Sequence, residues 1–167
     1  MKKVMIGLFV FGLTIQMYGQ DPTPIELDEV VLVNNYKYLS STDAADMPIE
    51  ADQLQISAAN FDVKTLDIYA DEYEFYDVYF IIPQGKILAT YDSDGKILRT
   101  AEKYKDVDLP APILFSIIKR FPKWGIEKDV YLVNYTEDKI AKKKYKITLT
   151  NGDKRIKVKL DGDGNFL

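Results

Sequence analysis

The chain has 167 residues, with 22 Lys and Arg against 26 Asp and Glu, no histidine and no cysteine. Without histidine there is no Ser-His-Asp or Cys-His triad, no His-dependent nucleotidyltransferase motif and no imidazole ligand for a transition metal. Without cysteine, stability in an oxidising compartment cannot rest on disulfides.

In chain order, MKKVMIGLFVFGLTIQMYGQ comes first. Lys2 and Lys3 form a positive start, Val4 to Leu13 a short apolar stretch, and small Gly19 precedes Gln20. This pattern predicts a secretory leader over 1–19, too short to span a bilayer comfortably and followed at once by polar DPTP. No cysteine follows, which excludes a lipidated N-terminus. The expectation is a periplasmic or secreted protein of a Gram-negative bacterium, not integral to the membrane once the leader is removed. The mature chain of 148 residues is long enough for one domain or two small fused units. Its charge is uneven: residues 20–104 carry net −11 and residues 105–167 net +5.

Residues 20–46 form an N-terminal segment in which Leu27–Leu39 (LDEVVLVNNYKYL) reads as an extra strand or hairpin, or as an exposed arm. A first α+β unit is expected over 47–104. It opens with a short, weakly amphipathic helix near Ile49–Asn60, with a first strand within Ala58–Ala70. The second unit, 105–167, opens with a helix after Leu109-Pro110. Asp108 is its expected N-cap and Ile113, Leu114, Ile117, Ile118 and Phe121 its apolar face. Pro122 stops that helix. A strand over Val130–Tyr135 and a lysine-rich loop at 137–144 follow.

The two units share a register. Shifted by 69 positions, YDVYFIIPQGKILATYDSDGKIL (Tyr76–Leu98) lies over YKITLTNGDKRIKVKLDGDGNFL (Tyr145–Leu167) without a gap. Tyr76 meets Tyr145, Val78 meets Ile147, Ile87 meets Ile156 and Tyr91 meets Leu160. Each segment reads as a three-run antiparallel meander broken at Pro83-Gln84-Gly85 or Asn151-Gly152, then at Asp94-Gly95 or Asp163-Gly164. The predicted fold is α+β: a tandem repeat of helix plus antiparallel meander, forming one twisted antiparallel sheet with the helices on one face.

A helix leaving through Phe121-Pro122-Lys123-Trp124, a strand, then Tyr145-Lys146-Ile147 and a meander closing on Leu160–Leu167 resembles a family of secreted domains common in Bacteroidetes. These are the PepSY-like, β-lactamase-inhibitor-protein-like domains. Leu109-Pro110 adds to the likeness and Tyr91–Arg99 repeats the ending; the resemblance covers roughly Ala58–Leu167. It implies a tandem α+β fold, export and no catalytic residues to carry over. The inhibitor comparison suggests binding of a protein through the open sheet face, by analogy of fold alone.

Asp92-x-Asp94-Gly95 and Asp161-x-Asp163-Gly164 invite a calcium reading. An EF-hand-type loop would need oxygen ligands at positions 5 and 12, where the first carries Lys96 and Lys103, and the second runs out of chain. Hairpin turns are the better reading, and no cofactor or metal is expected. Trp124 reads as a core plug, and the acids within Asp71–Asp77 as surface groups without the partners that acid–base catalysis needs. Nucleic acid is a poor partner for a chain that is acidic overall and has no recognisable binding module.

Strand parity supplies the candidate site. Tyr145, Ile147, Leu149, Ile156, Val158 and Leu160 share one parity and should face a helix; Lys144, Lys146, Arg155, Lys157 and Lys159 share the other. In the first unit the corresponding outward positions include Phe75, Asp77, Tyr79, Ile81, Lys86, Leu88 and Thr90. A face apolar on one half and cationic on the other has the character of an interaction surface; ordinary solubility also accounts for the lysines, and Val30–Val33 or a loop could fold over the apolar half. The sequence therefore predicts an exported, non-enzymatic protein-binding or inhibitor-like module. Phe75, Tyr79, Ile81 and Leu88 would be apolar anchors, and the five cations would steer an anionic patch of an unknown protein or envelope component. A structural or small-ligand-carrying envelope protein is the alternative. An enzyme, which would need a carboxylate-only mechanism, is third.

Overall fold

Six strands follow one another across a single sheet in the order of the chain, every neighbour antiparallel. They are β1 (Phe75–Ile82), β2 (Gly85–Asp92), β3 (Ile97–Lys105), β4 (Gly125–Thr136), β5 (Lys139–Asn151) and β6 (Lys154–Asp161). Three helices accompany them: α1 (Tyr36–Thr42), α2 (Ile49–Ala59) and α3 (Ala111–Arg120). This α+β architecture is a computed structural model that describes residues 35–42, 47–70 and 72–167. The expected leader and the Leu27–Asn34 part of the expected extra strand lie outside the described residues.

Tight turns dictate four of the five neighbour pairings, because a short hairpin leaves the chain no option but the adjacent antiparallel position; β3 and β4 are joined through α3 instead. Pro83-Gln84, Glu137-Asp138 and Gly152-Asp153 make three of these turns, Gly152 with φ +58°. The β2–β3 turn is built by one side chain. The Asp92 carboxylate accepts from the backbone N–H groups of Asp94 (3.0 Å) and Lys96 (2.9 Å), while Gly95 takes φ +81°. Sixty-nine residues on, Asp161 accepts from Asp163 (3.0 Å) and Asn165 (2.9 Å), and Gly164 takes φ +87°. One oxygen of each Asp is thus committed to closing a turn, the Asx pattern that favours Asp there.

The offset persists beyond the turns. The limits of β2 and β6 differ by 69 at both ends, and the Tyr91↔Ile97 pairing recurs as Leu160↔Phe166. The starts of α2 and α3 are 62 apart rather than 69, yet each helix starts after a proline whose carbonyl accepts two N–H groups, Pro48 from Ala51 and Asp52, Pro110 from Ile113 and Leu114.

The structure corrects several expected elements. Ala58–Ala70 holds no strand. There Asp62 captures the Lys64 N–H at 2.9 Å and starts a 3₁₀ turn over Val63–Thr65, and such local bonds compete with a ladder. Tyr36–Leu39, read as part of a strand or arm, is helical within α1. The lysine-rich stretch expected as a loop is mostly β5, since alternation sends Lys142, Lys144 and Lys146 outward while Ala141 and Tyr145 stay buried. Strand β4 begins at Gly125, earlier than expected. Helix α3 starts without a side-chain cap from Asp108, and only Ile113 and Ile117 on it are buried; Ile118 is exposed. Helix α3 thus buries a narrow i, i+4 line rather than a broad face.

Buried side chains of all three helices and of one strand parity form a single hydrophobic cluster. Its spine is a tyrosine row. Tyr104, Tyr131 and Tyr145 are cross-strand partners on β3, β4 and β5, their rings stacked at 5.8 and 4.6 Å between centroids. Gly85 on β2 faces Tyr104, whose ring occupies the space where a Cβ would stand. The row fixes register, because a one-residue slip would turn every tyrosine to the opposite face.

At the centre lies a buried carboxylate, Glu102. Its Oε1 accepts from the Tyr38 hydroxyl (2.9 Å) and Thr100 hydroxyl (2.7 Å); its Oε2 accepts from the Gln55 amide (2.7 Å) and Tyr104 hydroxyl (2.9 Å). Burial, reinforced by the Glu102 charge, pushes the phenols of Tyr38 and Tyr104 well above the ordinary tyrosine range, so both remain donors. These bonds tie α1 and α2 to β3. Asn35 makes a second tie, donating to Ala59 O (3.0 Å) and Gly95 O (3.1 Å) and accepting from Ile97 N (2.6 Å).

Candidate functional site: the outer sheet face

With one parity committed to the core, the other is left facing away from it. On β1 this outward set is Phe75, Asp77, Tyr79 and Ile81. Phe75 is 59%, Tyr79 60% and Ile81 72% exposed, so nothing among the described residues covers the apolar half. Leu88, opposite Tyr79 on β2, is half-buried. Val30–Val33, the candidate cover, lies outside the described residues.

Thr90 is outward by parity yet buried. Its hydroxyl donates to Asp77 on β1 and accepts from the Arg99 Nε on β3 at 3.0 Å. This chain clamps three strands at the end of the face that holds Phe75, and uses Asp77 structurally.

On the far side, Lys144 and Lys146 of β5 and Arg155, Lys157 and Lys159 of β6 are all exposed. The register places Lys146 directly across from Lys159, Lys157 across from Thr148 and Arg155 across from Thr150. Arg155 is not a spare charge, since its Nε bonds Glu127 Oε2 at 2.7 Å. Lys144 and Lys146 also line an open cleft of about 740 Å³, together with Leu132, Lys142 and Asp161.

The two groups do not meet. Strands β3 and β4 lie between them, so β1 and β5 are four spacings apart, about 19 Å at the usual ~4.8 Å per strand. What lies between is mixed: Ala101 on β3 and Val130, Leu132 and Asn134 on β4 are neutral, and the cations cluster towards one end. Lys86 of β2 is paired with Lys103 of β3, Lys105 follows, and Lys128 projects from β4. Ile81, Lys86, Lys103 and Lys105 share a shallow cavity of about 240 Å³ whose lining holds no acid. Among the described residues none of these three lysines has an ion-pair partner. Lys103 and Lys105 are outward only because the β2–β3 pairing shifts register next to Ile97. Ile97 is buried, yet Arg99, Ala101, Lys103 and Lys105, of the same sequence parity, are exposed, which a count by twos along the sequence does not foresee.

Like charges directly opposite across a ladder destabilise the pair. The face carries two such pairs, Lys86–Lys103 and Lys146–Lys159. The face therefore carries exposed lysines, two pairs of them directly opposed, and is bordered on one edge by exposed aromatic and aliphatic side chains. Against the known protein families, the curated proteins and the solved structures, the chain has no match.

Proposed function

We propose that the chain is an exported, non-enzymatic protein-binding or inhibitor-like module that holds its partner against the outer face of the sheet. Phe75, Tyr79 and Ile81, with half-buried Leu88, are the apolar anchors. Lys144, Lys146, Lys157 and Lys159, joined by Lys86, Lys103 and Lys105, steer an anionic patch of a protein or envelope component; Arg155 contributes through its pair with Glu127. The carrying observation is the exposure of three large apolar side chains beside the opposed Lys86–Lys103 pair, neither of which has an ion-pair partner among the described residues. Export rests on the leader-like first 19 residues.

The scaffold in this reading is a duplicated α+β unit with the helices on one face of the sheet, akin to the PepSY-like, inhibitor-like domains. The 69-residue coincidence of β2 with β6, the matching Asp turns and the twin proline-started helices support it.

Partner capture tests the reading. The purified protein is compared with Tyr79→Ala and with a Lys144→Glu, Lys146→Glu, Lys157→Glu variant. A protein retained by the parent and released by both variants is expected; equal recovery by all three overturns it. The cleft beside Lys144 favours a second reading, a small-ligand-carrying envelope protein. A ligand mass retained in native mass spectrometry, and lost in the triple variant, would select it.

A further inference from the structure

The two edges of the sheet are built differently. Strand β6, KRIKVKLD, carries four cations, the usual means of stopping a free edge from accepting another strand. Strand β1, FYDVYFII, carries one charge, Asp77, and exposes Phe75, Tyr79 and Ile81. Among the described residues its backbone pairs only with β2, and no turn or loop hydrogen bond reaches it. The N–H and C=O groups along its other edge are open to a strand of suitable sequence.

We propose that β1 pairs with β1 of a second copy, antiparallel about a two-fold axis, so that two six-stranded sheets become one. Keeping core face with core face requires partners whose residue numbers sum to an even value. Centring on Val78 sets Phe75 across from Ile81 of the second copy, Asp77 across from its Tyr79, and Tyr76 across from its Phe80. Apolar meets apolar on both faces, and the single charge meets a phenol. The pairing is isologous, as a closed dimer needs.

Charge selects a second copy over a foreign strand, and antiparallel over parallel. Glu72, Glu74 and Asp77 stand at the Phe75 end of β1, while Lys86, Lys103 and Lys105 stand at its Ile81 end. Antiparallel pairing lays the acids of each copy along the lysines of the other, twice per dimer. Parallel pairing would set like against like. One strand pair is a small contact, so the dimer dissociates reversibly on dilution. The inference stands independently of the partner-binding reading, because it concerns the edge of the sheet and is measured with the protein alone.

Light scattering coupled to size exclusion, over a concentration series of the purified protein, should show the mass of one chain rising to that of two. Ile81→Asp brings a carboxylate against Phe75 and Glu74 of the second copy and should weaken association about tenfold or more. Ile81→Lys, equally polar but facing the same acids, should keep association within a few-fold. Val78→Cys should yield a disulfide-linked dimer on mild oxidation, in a chain with no other cysteine. Circular dichroism melting checks that each variant folds. A monomer at every concentration overturns the proposal, as does equal weakening by Asp and Lys. A dimer that survives Ile81→Asp and fails to cross-link at position 78 also overturns it, and so does a monomer that takes up an unrelated peptide strand at this edge.

Discussion

Glu102 shows what one residue can hold together. Its carboxylate is buried without a cation and is satisfied by four neutral donors from α1, α2 and β3. Glu102→Ala would leave those donors unpaired, each costing about 1–3 kcal/mol when desolvated, so a loss of at least ~3 kcal/mol in urea unfolding is expected. Tyr38→Phe removes one bond and keeps the ring against Tyr135, so its loss should stay near 1 kcal/mol. Asp129 behaves in the opposite sense. Burial first, then the charges of Asp106 and Asp108, raise its carboxyl above the ordinary value, against the pull of the Val107 N–H. A raised carboxylate pKa penalises folding once the group is ionised, fully above the folded pKa and not at all below the unfolded one. Asp129→Asn keeps an oxygen for Val107 and removes that penalty. The variant should unfold at higher urea than the parent at pH 7, with the difference vanishing towards pH 3.

The elements were legible in proportion to how local their determinants are. Asp-x-Asp-Gly turns fold by bonds within five residues, so both turns could be read from YDSDGKIL and LDGDGNFL, and the period-2 runs leading into them gave β2 and β6. Asp161 carries a testable consequence. Burial opposes its ionisation, yet the Asn165 backbone and side chain and the Asp163 and Gly164 amides outweigh this and hold its carboxyl below the usual value. A depressed pKa gives stability that is present above the unfolded value and lost as pH falls through the folded one. Asp161→Ala should therefore destabilise the protein at pH 7 by a margin that shrinks as the parent itself is acidified below pH 4, followed by thermal melts at each pH. By contrast, Ala58–Ala70 and Tyr36–Leu39 could not be assigned from their own residues. Their apolar content suits a strand; the local Asp62–Lys64 bond is one part of what decides against it, and the rest is remote: Asn35 reaches Ala59, Gly95 and Ile97, Tyr38 reaches Glu102, and Tyr69 stacks on Tyr76.

Across the whole molecule the outer face trades stability for charge. Lys159→Glu would replace the Lys146–Lys159 repulsion with a cross-strand attraction, worth about 0.2–1 kcal/mol. The variant should melt higher than the parent yet lose affinity for an anionic partner, with the parent's capture weakening as salt is raised. A variant that binds as tightly as the parent would remove Lys159 from the recognition surface. Sequence alone determined the outward identity of Phe75, Tyr79, Ile81 and the β5–β6 lysines, because a strand's period of two is a backbone property that holds wherever no bulge interrupts the ladder, and none interrupts β1–β2 or β5–β6. It also determined the turns, which close on their own side chains. Tertiary structure alone decided that the apolar and cationic groups stand four strands apart, that Lys103 and Lys105 face outward, and that Thr90 is buried by Asp77 and Arg99. It alone placed Glu102 at the meeting of two helices and a strand. Those outcomes depend on which strands become neighbours, and neighbours distant in sequence are chosen by the packing of the whole chain.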